Sequence, residues 1–242
     1  MFGSQPLQLG RILKFSATLA FSNREQLAVV TAIPIIGLTA LSTIPSDVPG
    51  DMSLLLLPLK CILWTLLAVT THRLSLLGPA AVENTYLQPW GTREWHFALQ
   101  LFLITVLGAV ILVPLSIWQV GPAGKAVGIF AACYLIGRLL LLFPAIAADH
   151  ETSFTTSWFL SSENSLCLTA VTLMLILPLQ FIPTLLGTVL PPILSVPLII
   201  ASHAFAIVGI VTLSVCYHTL LNSVRSAALS GVRTTHRGGG VL

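Results

Sequence analysis

Long apolar stretches separated by short polar ones dominate the pattern of this chain. Six of them approach or reach the ~20 residues that cross a ~30 Å hydrocarbon layer as helix, at ~1.5 Å per residue. They run from Leu27 to Ile44, Met52 to Thr71, Phe97 to Gln119, Ala126 to Ala148, Leu166 to Leu186 and Leu194 to Val215. Pro114, Pro178, Pro183 and the Pro191-Pro192 pair interrupt or end the pattern. A membrane helix tolerates such breaks where neighbouring helices or waters satisfy the freed carbonyls. The first, third and fifth connections are short, and the second and fourth are long. The pattern predicts an all-α polytopic membrane protein: six transmembrane helices forming three hairpins, with interfacial amphipathic segments on the long-loop side. It is read as a single membrane domain, 1–242. Residues 1–26 form a cytoplasmic or interfacial segment, 27–215 the six-span bundle and 216–242 a cytoplasmic basic tail.

Composition narrows the class. Of 242 residues, 55% are hydrophobic and 8% charged, with mean hydropathy +0.95, against a charged share of about 25% in soluble domains. So few charges do not cover a soluble globule, and disordered, disulfide-scaffold and nucleic-acid-binding classes are excluded with it. The lipid bilayer is the expected partner, with other membrane subunits as further candidates.

A net charge of +3 says little about partners, but the placement of charge predicts orientation. Arg11, Lys14 and Arg24 precede the first stretch, Arg73 and Arg93 lie in the second connection, and Arg225, Arg233 and Arg237 follow the sixth stretch. Lys125 stands alone on the other side, where Asp47 and Asp51 occupy the first turn. By the positive-inside rule both termini are cytoplasmic, in a multi-pass protein of the cell inner membrane. The loop from Asp149 to Asn164 carries Asp149, Glu151 and Glu163 with no Lys or Arg, and acidic residues weigh little in that rule. The first stretch starts late and lacks a small-residue cleavage site, so it is expected to act as an uncleaved anchor.

An internal repeat is visible. Glu25, Glu94 and Glu163 recur at a spacing of 69 residues. Four residues before them stand Phe21, Trp90 and Phe159; two residues before them stand Asn23, Thr92 and Ser161. Each set precedes an odd-numbered stretch. It predicts a helix start in which a side-chain oxygen caps the first amides, Glu sits in the positive first turn and the aromatic anchors at headgroup level. Upstream, Leu9, Ile12, Leu13, Phe15 and Leu19 interleave with Arg11, Lys14, Ser16 and Thr18, as in a helix lying in the interface. Phe154 and Trp158 repeat that pattern before the fifth stretch.

Candidate chemistry is sparse. Lys60, Arg138 and His203 fall roughly 12, 18 and 14 Å below the outer surface, one on each even-numbered stretch. Intramembrane cations usually face a bundle interior or a wet cavity. They are therefore the candidate polar site, one that would admit an anionic or amphiphilic substrate of a small transporter or channel. The plainer alternative has Lys60 snorkelling outward, Arg138 bonded to carbonyls and His203 neutral and packed. His203, flanked by Ala201, Ser202 and Ala204, also has room for a pigment or haem. No second histidine stands at matching depth, and no cofactor is expected. Cys61, Cys133, Cys167 and Cys216 have neither zinc nor redox spacing and read as small hydrophobes. No nucleotide, zinc-protease or esterase motif is present. The segment from His72 to His96 holds Glu83, Tyr86, Trp90, Arg93, Glu94 and Trp95; an aromatic belt explains it better than acid-base chemistry. Gly238-Gly239-Gly240 reads as a flexible end.

Two phrases carry a resemblance: His72-Arg73-Leu74-Ser75-Leu76-Leu77-Gly78 and Ser157-Trp158-Phe159-Leu160-Ser161-Ser162-Glu163-Asn164. In them the chain resembles small six-span bacterial inner-membrane proteins of unassigned function. It is more distantly similar to the membrane domain accompanying some glycerophosphodiester phosphodiesterases. The resemblance implies the architecture and no catalytic residues, metal or cofactor. The expected function is non-enzymatic: an accessory or assembly subunit, or a lipid-associated scaffold.

Overall fold

In lipid every backbone polar group needs an internal partner, so apolar runs of this length are stable only as helices or as strands of a closed barrel. Helices are what the computed structural model contains. It describes residues 7–44, 50–82, 86, 88–118, 121–175 and 192–237, and every element among them is helical. In order these are α1 (Leu9–Ser22), α2 (Arg24–Ser42), α3 (Gly50–Leu77), α4 (Thr92–Ile117), α5 (Pro122–Leu139), α6 (Leu142–Ala147), α7 (Phe154–Leu160), α8 (described over 165–175) and α9 (Pro192–Arg237). Short 3-10 turns cover Pro79–Ala81 and Ser162–Asn164.

Four helical segments are long and apolar enough to cross a membrane: Arg24–Ser42, Thr92–Leu115, Pro122–Ala147 and Val196–Ser226. They correspond to the first, third, fourth and sixth stretches. The second is helical throughout as α3. Of the fifth, residues 176–186 lie outside the described residues, as do Asp47, Glu83, Gln119, Pro178, Pro183, Pro191 and Gly238 to Gly240.

The fourth stretch is one apolar run but two helices, because of Pro144. Proline has no N–H to give the carbonyl four residues back, and its ring crowds that carbonyl. Leu140 O instead accepts from Phe143 N, three residues on, at 3.1 Å. The tightened turn at Leu140 and Leu141 separates α5 from α6.

The sixth stretch, expected to end at Val215, continues as helix to Arg237. At 1.5 Å per residue, its 46 residues span about 69 Å. Tyr217 and Leu220 lie beyond the expected end, yet both are buried in the bundle.

Helix α3 is the hub, packing on α2, α4, α6 and α9. The main core joins Leu27, Leu67, Phe97, Phe143, Ile207 and Val211 from five helices. A second core lies beside α9, where Ile12 of α1 meets Leu141, Leu168, Leu213 and Leu220. Several hydroxyls inside the bundle are satisfied locally: Thr31, Thr70, Thr71 and Thr172 donate to carbonyls four residues back at 2.6 to 2.8 Å. Gly137 lets α5 approach α8 closely. A Cβ there would stand 2.7 Å from Thr172 Oγ1 and 3.0 Å from the Leu168 carbonyl oxygen. By contrast α4 is peripheral, with 11% of its apolar window buried against 56% for α9.

The approach segments before the first and fifth stretches are helical. In α1, Ile12 and Ser16 are buried while Phe15 and Phe21 are exposed. In α7, Ser157 is buried while Phe159 is exposed. The repeated glutamates do fall in first turns, but the caps differ from expectation. Asn23 makes no cap bond to α2; its side-chain amide instead donates to Leu19 O of α1 at 2.9 Å. Thr92 is the first residue of α4, whose cap position is Gly91. Ser161 is spent on Arg138 and on the Trp158 carbonyl. Glu94 closes its helix start directly, accepting from Gly91 N at 2.8 Å.

Candidate functional site at the basic end of the bundle

The ends of α3 and α6 and the start of α4 meet at one end of the bundle. Arg73, in the last turns of α3, donates to Ala147 O at 2.9 Å, to Ala81 O at 3.2 Å and to Asp149 at 2.7 Å. Arg93, in the first turn of α4, reaches Glu94 Oε1 at 2.9 Å and Asp149 at 3.2 Å. Two guanidiniums and two carboxylates thus alternate across three helices.

Asp149 sits at the centre through an unusual backbone. Its φ is 58°, the one positive value among described non-glycine residues. It closes α6 with paired bonds, Asp149 N to Ile146 O and His150 N to Ala145 O, both 3.0 Å. This is the Schellman arrangement, in which glycine is the usual residue. Asp tolerates the left-handed region better than most side chains, and here it adds a carboxylate that glycine lacks. Burial alone would raise that carboxyl's pKa; the hydrogen bonds and charges of Arg73 and Arg93 outweigh it and hold the group below the ordinary carboxylate range.

Beside this brace lies a cavity of about 760 Å³ between α4 and the α6–α7 connection. Arg93, Asp149, His150 and Glu151 border it, and His96 and Gln100 lie further along α4. Its apolar lining comes from Leu99, Leu142, Ile146 and Phe154. Ser153 caps α7 by accepting from Thr156 N at 3.1 Å, which fixes the connection. His150 is held by Tyr217, with Nδ1 2.8 Å from the hydroxyl oxygen. Gln100 Oε1 is buried and has no hydrogen-bond partner.

The three residues that the sequence pattern singles out, Lys60, Arg138 and His203, are differently placed. Arg138, at the end of α5, donates to Trp158 O at 2.6 Å and Ser161 Oγ at 3.1 Å, and its guanidinium lies 3.5 Å from the Trp158 ring centre. Ser157 Oγ completes the joint by donating to Arg138 O at 2.7 Å. His203 bonds through Nδ1 to its own Ile199 O at 2.8 Å, and Trp64 lies against its ring at 5.6 Å. Lys60, half-buried, stands one turn before Trp64 on α3. Among the described residues no bond or ring contact joins Arg138 to Lys60 or His203.

The brace was not anticipated from the pattern. Arg73, Arg93 and Asp149 were legible as loop charges, and Asp149 as an oddity in a basic side. The available signal was scarcity: three charges each bordering an apolar run at the same level have few partners but one another. His72 was equally hidden. It is buried, with Nδ1 2.7 Å from Ser214 Oγ across α3 and α9.

Comparison with protein-family models, curated proteins and solved structures finds no match to this chain.

Proposed function

We propose that this chain is a non-enzymatic multi-pass membrane protein acting as a lipid-associated scaffold or as an accessory subunit assembled through its lipid-facing helices. In this reading six helices span the cell inner membrane as three hairpins, and both termini are cytoplasmic. The observation that carries it is a set of exposed aromatic side chains, which the proposal takes as a collar at the basic end. Phe15 and Phe21 of α1, Trp95 of α4 and Phe159 of α7 are exposed, and the Arg24 guanidinium lies 4.5 Å from the Phe21 ring centre. Aromatic and basic side chains together are what a headgroup layer receives.

The polar groups beneath the collar hold helices to one another, which suits a scaffold. The transporter reading built on Lys60, Arg138 and His203 has less support, because α7 already occupies Arg138. The resemblance to small six-span inner-membrane proteins belongs to the same proposal and adds no residue to it.

Mild-detergent co-purification followed by mass spectrometry tests the reading. Retained phospholipid or a stoichiometric membrane subunit is expected, and Phe15→Ser with Phe21→Ser should reduce what is retained. Recovery of the bare chain, with transport activity in vesicles lost on Lys60→Leu, would overturn it. A visible haem or pigment band would instead assign His203 as a ligand.

A further inference from the structure

We propose that the cavity between α4 and the α6–α7 connection binds an amphiphile with a primary ammonium head and an alkyl tail. Its polarity is graded along α4. From Thr92 to Gln100 the helix rises about 12 Å, and over that rise the lining changes from Arg93, Asp149 and Glu151 to Leu99, Leu142 and Ile146. A volume of about 760 Å³ lies within the usual range of small-molecule sites, roughly 300–1,000 Å³.

Charge selects the head. Arg93 is committed through Nε and both terminal nitrogens to Glu94 and Asp149, and Arg73 to Asp149 and two carbonyls. Both guanidiniums are thus already paired with carboxylates of this chain, Arg93 with Glu94 and Asp149 and Arg73 with Asp149. Glu151, by contrast, lines the cavity, is exposed and takes part in none of the described ion pairs. Counting Arg73 and Glu94 with the lining, two guanidiniums face three carboxylates, beside the imidazoles of His96 and His150. An ammonium restores balance, and its N–H groups suit acceptors already present: the Glu151 carboxylate, the Gln100 amide and the Thr152 hydroxyl. The tail has a path, since the outward face of α4 continues from Leu99 to the exposed Phe102, Leu103 and Val106. This site does not depend on the scaffold reading, because it needs no partner protein.

The test is calorimetric titration of the full chain in phosphatidylcholine nanodiscs at pH 7, with empty nanodiscs subtracted. Dodecylamine, protonated at that pH because alkylamines titrate near 10.4 as Lys does, is expected to bind saturably at one per chain. Dodecyltrimethylammonium, which has no N–H, should bind about tenfold more weakly, the loss of one charge-assisted bond. Laurate and the tailless propylamine should show no saturable binding. Glu151→Gln should weaken dodecylamine about tenfold, and Leu99→Trp, which fills the cavity from an exposed position, should abolish binding with melting unchanged. Equal binding of laurate refutes the ammonium head, and equal binding of propylamine refutes the amphiphile. Undiminished binding to Leu99→Trp refutes the location.

Discussion

Replacing Asp149 separates the two things this residue does, because its backbone and its carboxylate have opposite preferences. The left-handed φ of 58° favours glycine; a side chain such as alanine costs about 1 kcal/mol there. The carboxylate joins two guanidiniums, but its side chain is 57% exposed, so each pair contributes about 0.5–1 kcal/mol. Loss of the carboxylate strands neither partner: Arg73 keeps two carbonyls and Arg93 keeps Glu94. Asp149→Ala therefore loses about 1–2 kcal/mol of pairing and keeps the backbone strain of a side chain at this φ. Asp149→Gly loses the same pairing and recovers the strain, for a net change of about 0–1 kcal/mol. Asp149→Asn keeps the backbone tolerance and falls between them. At 2–4 °C per kcal/mol for a chain of this size, thermal melting in detergent should rank Gly above Asn above Ala, with Gly and Ala about 2–4 °C apart. Equal melting of Gly and Ala would refute the strain assignment. The pairing component has its own signature. A lowered folded pKa contributes stability above the unfolded value of about 3.9 that fades as pH falls through the folded value. The advantage of wild type over Asp149→Asn should thus be full at pH 7 and shrink below about pH 4.

Further outcomes follow from packing and capping. Gly137→Ala places a methyl against Thr172 and the Leu168 backbone, and is expected to cost about 1–3 kcal/mol, read as a lower melting temperature. Arg138→Lys loses the fork that holds the Trp158 carbonyl and Ser161 at once, together with the stacking on the indole. A loss of about 2 kcal/mol and a red shift of tryptophan emission should accompany it, and an unchanged spectrum would contradict the joint described here. Glu94→Ala removes a buried carboxylate that accepts from the Gly91 amide and pairs with Arg93, costing about 1–3 kcal/mol. Its repeat counterpart Glu25→Ala, on an exposed residue, should stay within about 0.5 kcal/mol; parallel chemical denaturation of the two variants distinguishes them.

The helices were legible wherever hydrophobicity alone decides, and less so where a single bond does. Leu27 to Ile44 and Phe97 to Gln119 announced α2 and α4 to within a few residues, because apolar runs of about 20 residues have the length of a spanning helix and exceed that of a barrel strand. Pro144 was visible in the chain, yet its effect depends on which amide replaces its missing donor, and that is a local geometric choice. The site was harder. Depth marked Arg138 as a residue needing partners, but those partners, Trp158 and Ser161, come from α7, which hydropathy leaves outside the spans. Asp149, Arg73 and Arg93 are 56 and 76 residues apart along the chain to the common carboxylate, and no periodicity connects positions that only tertiary packing brings together.

That separation also bears on how the chain is made. At about 5–20 residues per second of synthesis, the 56 residues from Arg93 to Asp149 take about 3–11 s to emerge. Until then α3 and α4 present their terminal arginines without the carboxylate that bridges them. The last turn of α6 therefore works as a late latch: the earlier helices can be inserted and paired, but their shared end is fastened only when the fourth apolar stretch has been completed.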